Sequence, residues 1–331
     1  MTVGKPATPG RLRPLAERIL SRLPGSRPLW VAAWALVPWL NAGANFLLGT
    51  TTAVWEESRT LALLNYGFLS AAVVIALWGA ERIARRLDEL EETMQSVLPA
   101  YSSERFRELN GVVGPVLATA VTALVFGVTA FLRDGWTSGI LRGATWVVIG
   151  IALWSFLWTY GALQLGLHRL GREPLARDAA RVDPGMGLHP LGAIAFTGLW
   201  MLLVWLAPVV MTGLPDVVGV AVGVSVLAAG VAAFFLPLAR LHRRMAEFKR
   251  AELSVARGLY ARAYEPVRAA PTLELLERQQ PLLGAADALE KRAQALHEWP
   301  IDEGTVARVI TIVTSVVAMA VGRLILDPLG L

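Results

Sequence analysis

The chain has no cysteine, so neither disulfides nor thiolate metal sites contribute to its stability or chemistry. Lysine is almost as scarce: Lys5, Lys249 and Lys291 are the whole complement, and arginine carries the positive charge. No lysine falls in an apolar span, which excludes the Schiff base that a retinal-binding seven-helix protein requires. A His-Glu-x-x-His helix, a Gly-x-Ser-x-Gly elbow and a phosphate-binding glycine loop are all missing. The four histidines, His168, His189, His242 and His297, lie outside the apolar spans with none at ligand spacing to another, which argues against a metal site. Gly185-Met186-Gly187 reads as a loop entering a span. With no catalytic constellation, metal set or cofactor motif, the sequence points away from an enzyme. No nucleic-acid partner is expected either.

Charge is also thin inside the apolar spans, where an ionisable residue would signal function. Arg308 and Arg323 sit near the two ends of the last span and can snorkel to the interfaces. That argues against a proton pump or a steep voltage sensor.

What the chain does have is hydrophobic length. Of its 331 residues, 55% are hydrophobic, which leaves no room for a sizeable separate soluble domain. Apolar stretches at 29–50, 61–80, 112–132, 140–165, 190–211, 216–238 and 305–326 are each long enough to cross about 30 Å of hydrocarbon. The expected fold is therefore an all-α polytopic membrane protein with seven transmembrane helices. The basic stretch before the first span is too long for a cleavable signal, and the apolar stretch is span-length rather than a short signal core, so the first span is expected to stay.

Orientation follows from charge. The N-terminal arm, the 81–111 and 166–189 loops and the 239–304 segment fall on one side and hold about 26 of the 31 lysines and arginines. The positive-inside bias places that side in the cytoplasm, with the N-terminus in and the C-terminus out, and the cell membrane as the site. The domain reading is a basic cytoplasmic arm at 1–28 and a six-helix transmembrane domain at 29–238 with a cytoplasmic extension at 81–111. A cytoplasmic helical anchor at 239–304 and a seventh, pore-lining helix with a short outside tail at 305–331 complete it. The basic arm also suits contact with anionic lipid headgroups.

The extension and the anchor are amphipathic. Leu87, Leu90, Met94, Val97 and Leu98 recur at helical spacing, Pro99 marks a break, and Ser102-Ser103-Glu104 starts a short helix. In the anchor, Leu238, Leu241, Met245 and Phe248 form one stripe, and Leu253, Ala256, Leu259 and Tyr260 resume it in a shifted phase. Pro266 and Pro271 end that helix, and a second starts at Thr272. Pro281 and Gly284 are expected to break the second, with a third helix over 285–299. Such stripes pack on one another or on copies of themselves around an axis. No repeat of constant period is visible, which argues against an inverted-repeat transporter.

Uncharged polar residues remain within the spans. Asn41, Asn45 and Asn65, with Thr119, Thr122 and Thr129, suit interhelical hydrogen bonds, and Gly219 and Gly223 suit close packing. In the last span Thr311, Ser315, Ala318 and Gly322 share one narrow face with Thr314 at its edge. Hydroxyls and small residues without fixed charge can line a narrow aqueous path, and they also suit a tight helix interface. The fourth span carries Trp146, Trp154 and Trp158, and Tyr66, Phe68 and Phe126 on neighbouring spans could converge with them. Such an aromatic cavity would suit a small apolar or cationic ligand, while core packing or an interfacial belt accounts for any one of them.

Seven spans, a cytoplasmic N-terminus, cytoplasmic extensions of inner helices and a last span delivered by a helical anchor resemble the insect odorant and gustatory receptor superfamily of ion channels. That superfamily has remote relatives outside animals, and high arginine, alanine and glycine usage suits a prokaryotic one. The resemblance is one of layout. The Thr-Tyr and Gln-Phe signature of the gustatory receptors' last helix is replaced here by Thr311-Ile312-Val313-Thr314-Ser315-Val316. It implies four subunits joined through the anchor, a cation pore lined by the seventh helix, and a ligand pocket among other helices in the outer half of the membrane. The expectation is a homotetrameric channel, possible ligand gating included, with the lipid bilayer and its own copies as partners. The alternatives are a non-conducting scaffold or sensor acting through the 239–304 platform and, further off, a small-solute transporter.

Overall fold

A computed structural model describes residues 12–49, 59–99, 101–176, 184–212, 217–301 and 303–326. Among these the secondary structure is helical, with no strand: α1 (Leu15–Leu20), α2 (Arg27–Leu47), α3 (Arg59–Glu89), α4 (Glu91–Val97), α5 (Ser103–Leu109), α6 (Val113–Asp134), α7 (Trp136–Leu170), α8 (His189–Thr212), α9 (Val217–Ala269), α10 (Leu273–Gln294) and α11 (Glu303–Leu326). Three helices among the described residues are long and apolar enough to cross a membrane, lying in Ala62–Glu89, Ser103–Asp134 and Trp136–Leu170. Shorter apolar helices occupy His189–Val204 and Gly304–Ser315.

One long helix is the axle of the bundle. α7, about 52 Å at 1.5 Å per residue, packs against α1, α2, α3, α5, α6, α8 and α9. Its closest partner is α6. The two meet at Gly135, whose φ of +87° suits the one residue type without a Cβ penalty there. Beyond that turn the backbones approach so closely that a Cβ on Gly139 would lie 2.7 Å from the Phe131 Cβ and 3.1 Å from the Gly127 carbonyl. Small residues let helices pack backbone to backbone where lipid offers no hydrophobic drive.

At the opposite end the helices outrun the apolar zone and build a layer with large side chains. Tyr101, Phe106, Leu87, Met94, Leu98, Leu163, Leu167, Leu170 and Met186 are all almost completely buried there. α3 bends at Leu90 into α4, and Ser102 caps α5 by accepting the Glu104 N–H. The Tyr101 hydroxyl donates to the Leu87 carbonyl at 2.9 Å. The described part of the basic arm belongs to this layer: Leu12, Ala16 and Leu20 are buried. The Leu12 N–H donates to Asp88 and the Ala16 N–H to the Ser155 hydroxyl, at 3.0 and 2.9 Å. Arg27 ties it down by bridging Glu17 and Glu81 at 3.1 and 2.8 Å.

α9 runs unbroken for about 80 Å and α10 folds back along it. The seam is made of small residues, with Ala256, Ala263, Ala286 and Ala293 buried, and Arg257 pairs with Glu290 at 3.3 Å. The expected break at Pro281 and Gly284 does not occur, and α10 is one helix with Pro281 inside it. Pro281 is exposed, so the carbonyl it leaves without a partner can be satisfied by water. Residues 295–301 are irregular rather than the end of a third helix. They pass against α8, where a Cβ on Gly192 would overlap the Pro300 carbonyl.

Candidate functional site

Two regions bring functional candidates together. The first is α11. Val309 is buried and Val306 and Val313 pack on the core, so the helix docks on α8 and α9 through one valine edge. Thr311, Thr314, Ser315 and Ala318 are exposed in the single chain. The Thr311 hydroxyl donates to the Ala307 carbonyl at 2.9 Å and the Ser315 hydroxyl to that of Thr311 at 2.8 Å. Such bonds satisfy the proton and leave the oxygen lone pairs facing outward. Gly322 lies further along α11, where side-chain surroundings fall outside the described residues.

The second is a cavity of about 240 Å³ between α2, α3, α6 and α7, at the end of the bundle that carries the α6–α7 turn. Three of the six aromatic candidates line it: Tyr66, Phe126 and Trp146. Phe126 and Trp146 stack with ring centroids 4.0 Å apart. Asn41 and Asn65 also face it, while Asn45 donates back to Asn41 within the same helix at 2.9 Å. The other three aromatics are elsewhere. Phe68 lies on an exposed apolar surface with Leu64 and Ala71. The Trp154 indole donates to the Thr122 hydroxyl at 2.9 Å, an interhelical bond, and the Trp158 indole donates to the Leu109 carbonyl at 3.2 Å beside Gly114.

The cavity also holds charge that the span-by-span reading overlooked. Arg142 lies inside the fourth apolar span, one turn before Thr145 and Trp146, and Arg133 reaches the same wall from the end of α6. Both approach Asp134, at 3.9 Å from Arg142 and 3.7 Å from Arg133. A single arginine is diluted in a hydropathy average over some twenty residues. Its face, shared with Thr145, Trp146 and Ile149 at helical spacing, was the available signal.

Histidine spacing along the chain also misleads. His189 Nε2 and His297 Nδ1 come within 3.3 Å, where α8 begins and the chain leaves α10 for α11. His242 stacks on Trp299 with centroids 4.2 Å apart, and its Nδ1 lies 2.7 Å from the Glu298 carbonyl. Two imidazoles are fewer than a closed zinc site uses, and no group of three or more metal-ligating side chains occurs among the described residues. The contacts instead pin the base of α11.

Comparison of the chain with protein families, with known proteins and with solved structures finds no match.

Proposed function

We propose that the chain is a seven-span membrane protein whose copies assemble, four around an axis, into an ion channel of the cell membrane with α11 as the pore wall. It is read as a prokaryotic relative of the insect odorant and gustatory receptor channels, with its N-terminus in the cytoplasm. One observation carries this reading: α11 buries a valine edge in its own chain and turns Thr311, Thr314, Ser315 and Ala318 outward. A hydroxyl-bearing face turned to lipid wastes its polarity, whereas the same face repeated around an axis makes an uncharged polar lining. The resemblance favours cations. The test is current through the reconstituted protein. Wild type gives unitary currents, and Ser315→Phe abolishes or sharply alters them. Wild-type currents in Ser315→Phe would remove Ser315 from the pore wall.

A second reading rests on the α9–α10 hairpin, where alanines fill the seam and Leu259, Tyr260, Tyr264, Leu273, Leu276 and Leu289 stay exposed. That surface suits a non-conducting scaffold or sensor. It predicts partner capture through residues 239–304 and no flux that depends on Ser315.

A further inference from the structure

The cavity at the α6–α7 turn has a chemical character of its own. Its floor is apolar, formed by the stacked Phe126 and Trp146 with Leu69 and Ile149. Among the described residues its charge is not balanced: two guanidiniums share one carboxylate, that of Asp134, and both contacts are long. The Arg142 side chain is about four-fifths buried, so its charge is poorly screened by water, while Arg133 is mostly exposed at the rim. A largely buried guanidinium offers a planar fork of donors that fits a carboxylate through two parallel bonds.

We propose that this cavity binds a small organic anion, with its carboxylate on Arg142 and its apolar body against Trp146 and Phe126. The surplus positive charge of the described lining disfavours the cationic ligand that aromatic content alone suggested. A volume of about 240 Å³ is below the range usual for drug-sized ligands, so the anion is of benzoate size. The anion does not depend on conduction through α11, and a failure here leaves the channel reading standing.

The test uses the full chain in phosphatidylcholine nanodiscs and calorimetric titration with benzoate, benzamide and benzylammonium. Benzoate should bind saturably and about tenfold or more tighter than its neutral isostere, as a charge-assisted pair implies. Benzylammonium should not bind. Arg142→Gln should bring benzoate down to the benzamide level with unchanged elution and melting, and Arg142→Lys should fall between. If Arg142→Gln does not fold, the wild-type ratio and the exposed Arg133→Gln variant, expected to weaken benzoate about twofold to threefold by losing a rim charge, still decide. Equal affinity for benzoate and benzamide, no saturable benzoate binding, or full benzoate affinity in folded Arg142→Gln overturns the proposal. Repeating the titration with phosphatidylglycerol separates two sources of the anion. Unchanged benzoate affinity assigns the site to a free acid, and competition assigns it to a lipid headgroup.

Discussion

α7 and α11 are both long, apolar and dotted with hydroxyls, yet they stand in opposite relations to the rest of the chain. On α7 two buried hydroxyls reach other elements. Ser155 is buried and accepts the Ala16 N–H from α1, and Thr159 is buried beside Asn110. On α11 Thr311 and Ser315 donate within their own helix and are exposed, with no bond to another element among the described residues. The same residue type thus serves folding in one helix and is left for something beyond the fold in the other. Hydroxyls that hold a fold together should be costly to remove, and hydroxyls reserved for function should not.

The largest expected effect tests how the base of α11 is fixed. Gly192→Leu forces a side chain into the Pro300 carbonyl and Ile301. Backbone cannot yield as a flexible side chain does, so a loss of about 3 kcal/mol, read as a lowered melting temperature in detergent, is expected. Next comes Ser155→Ala, which strands the Ala16 N–H and should cost about 1–2 kcal/mol. Tyr101→Phe loses the bond to the Leu87 carbonyl and should cost about 1 kcal/mol by the same assay.

Tyr101 also carries a pH signature. Burial, with the nearby Glu91 and Asp88 charges, pushes its phenol above the ordinary value of 10.0. Its contribution is therefore fully present below that value. It falls as pH rises through it, because the unfolded chain ionises first. Melting temperature should drop above pH 10 more steeply in wild type than in Tyr101→Phe. The smallest effect completes the contrast. Thr311→Val and Ser315→Ala should each change stability by less than about 0.5 kcal/mol, as exposed positions do. If either destabilises the chain as much as Ser155→Ala, the two helices are not different in kind.

Much of the architecture was legible because hydropathy and helical spacing are local. The second span's run past Arg85 and Arg86, the break at Pro99, the Ser102 cap and the end of α9 ahead of Pro271 all follow from neighbouring residues, although α9 runs through Pro266 to Ala269. Pro281 misled because a proline's effect depends on exposure, which the sequence does not print. The candidate cavity was half legible. Tyr66, Phe126 and Trp146 have the size and polarity that mark them out. Arg142 was hidden by averaging, and its carboxylate partner lies across a turn made by one glycine. The His189–His297 contact spans 108 positions, so no spacing argument reaches it. Side-chain chemistry within one helix can be read in order, whereas chemistry assembled between helices needs their packing.

The central claim is that the outward face of α11 meets copies of itself. Native mass spectrometry of the protein released from nanodiscs tests it most directly. Four copies are predicted, surviving mild activation and lost first in variants that crowd Ser315. A chain that flies as a robust monomer at every concentration would contradict the account and leave that face to lipid.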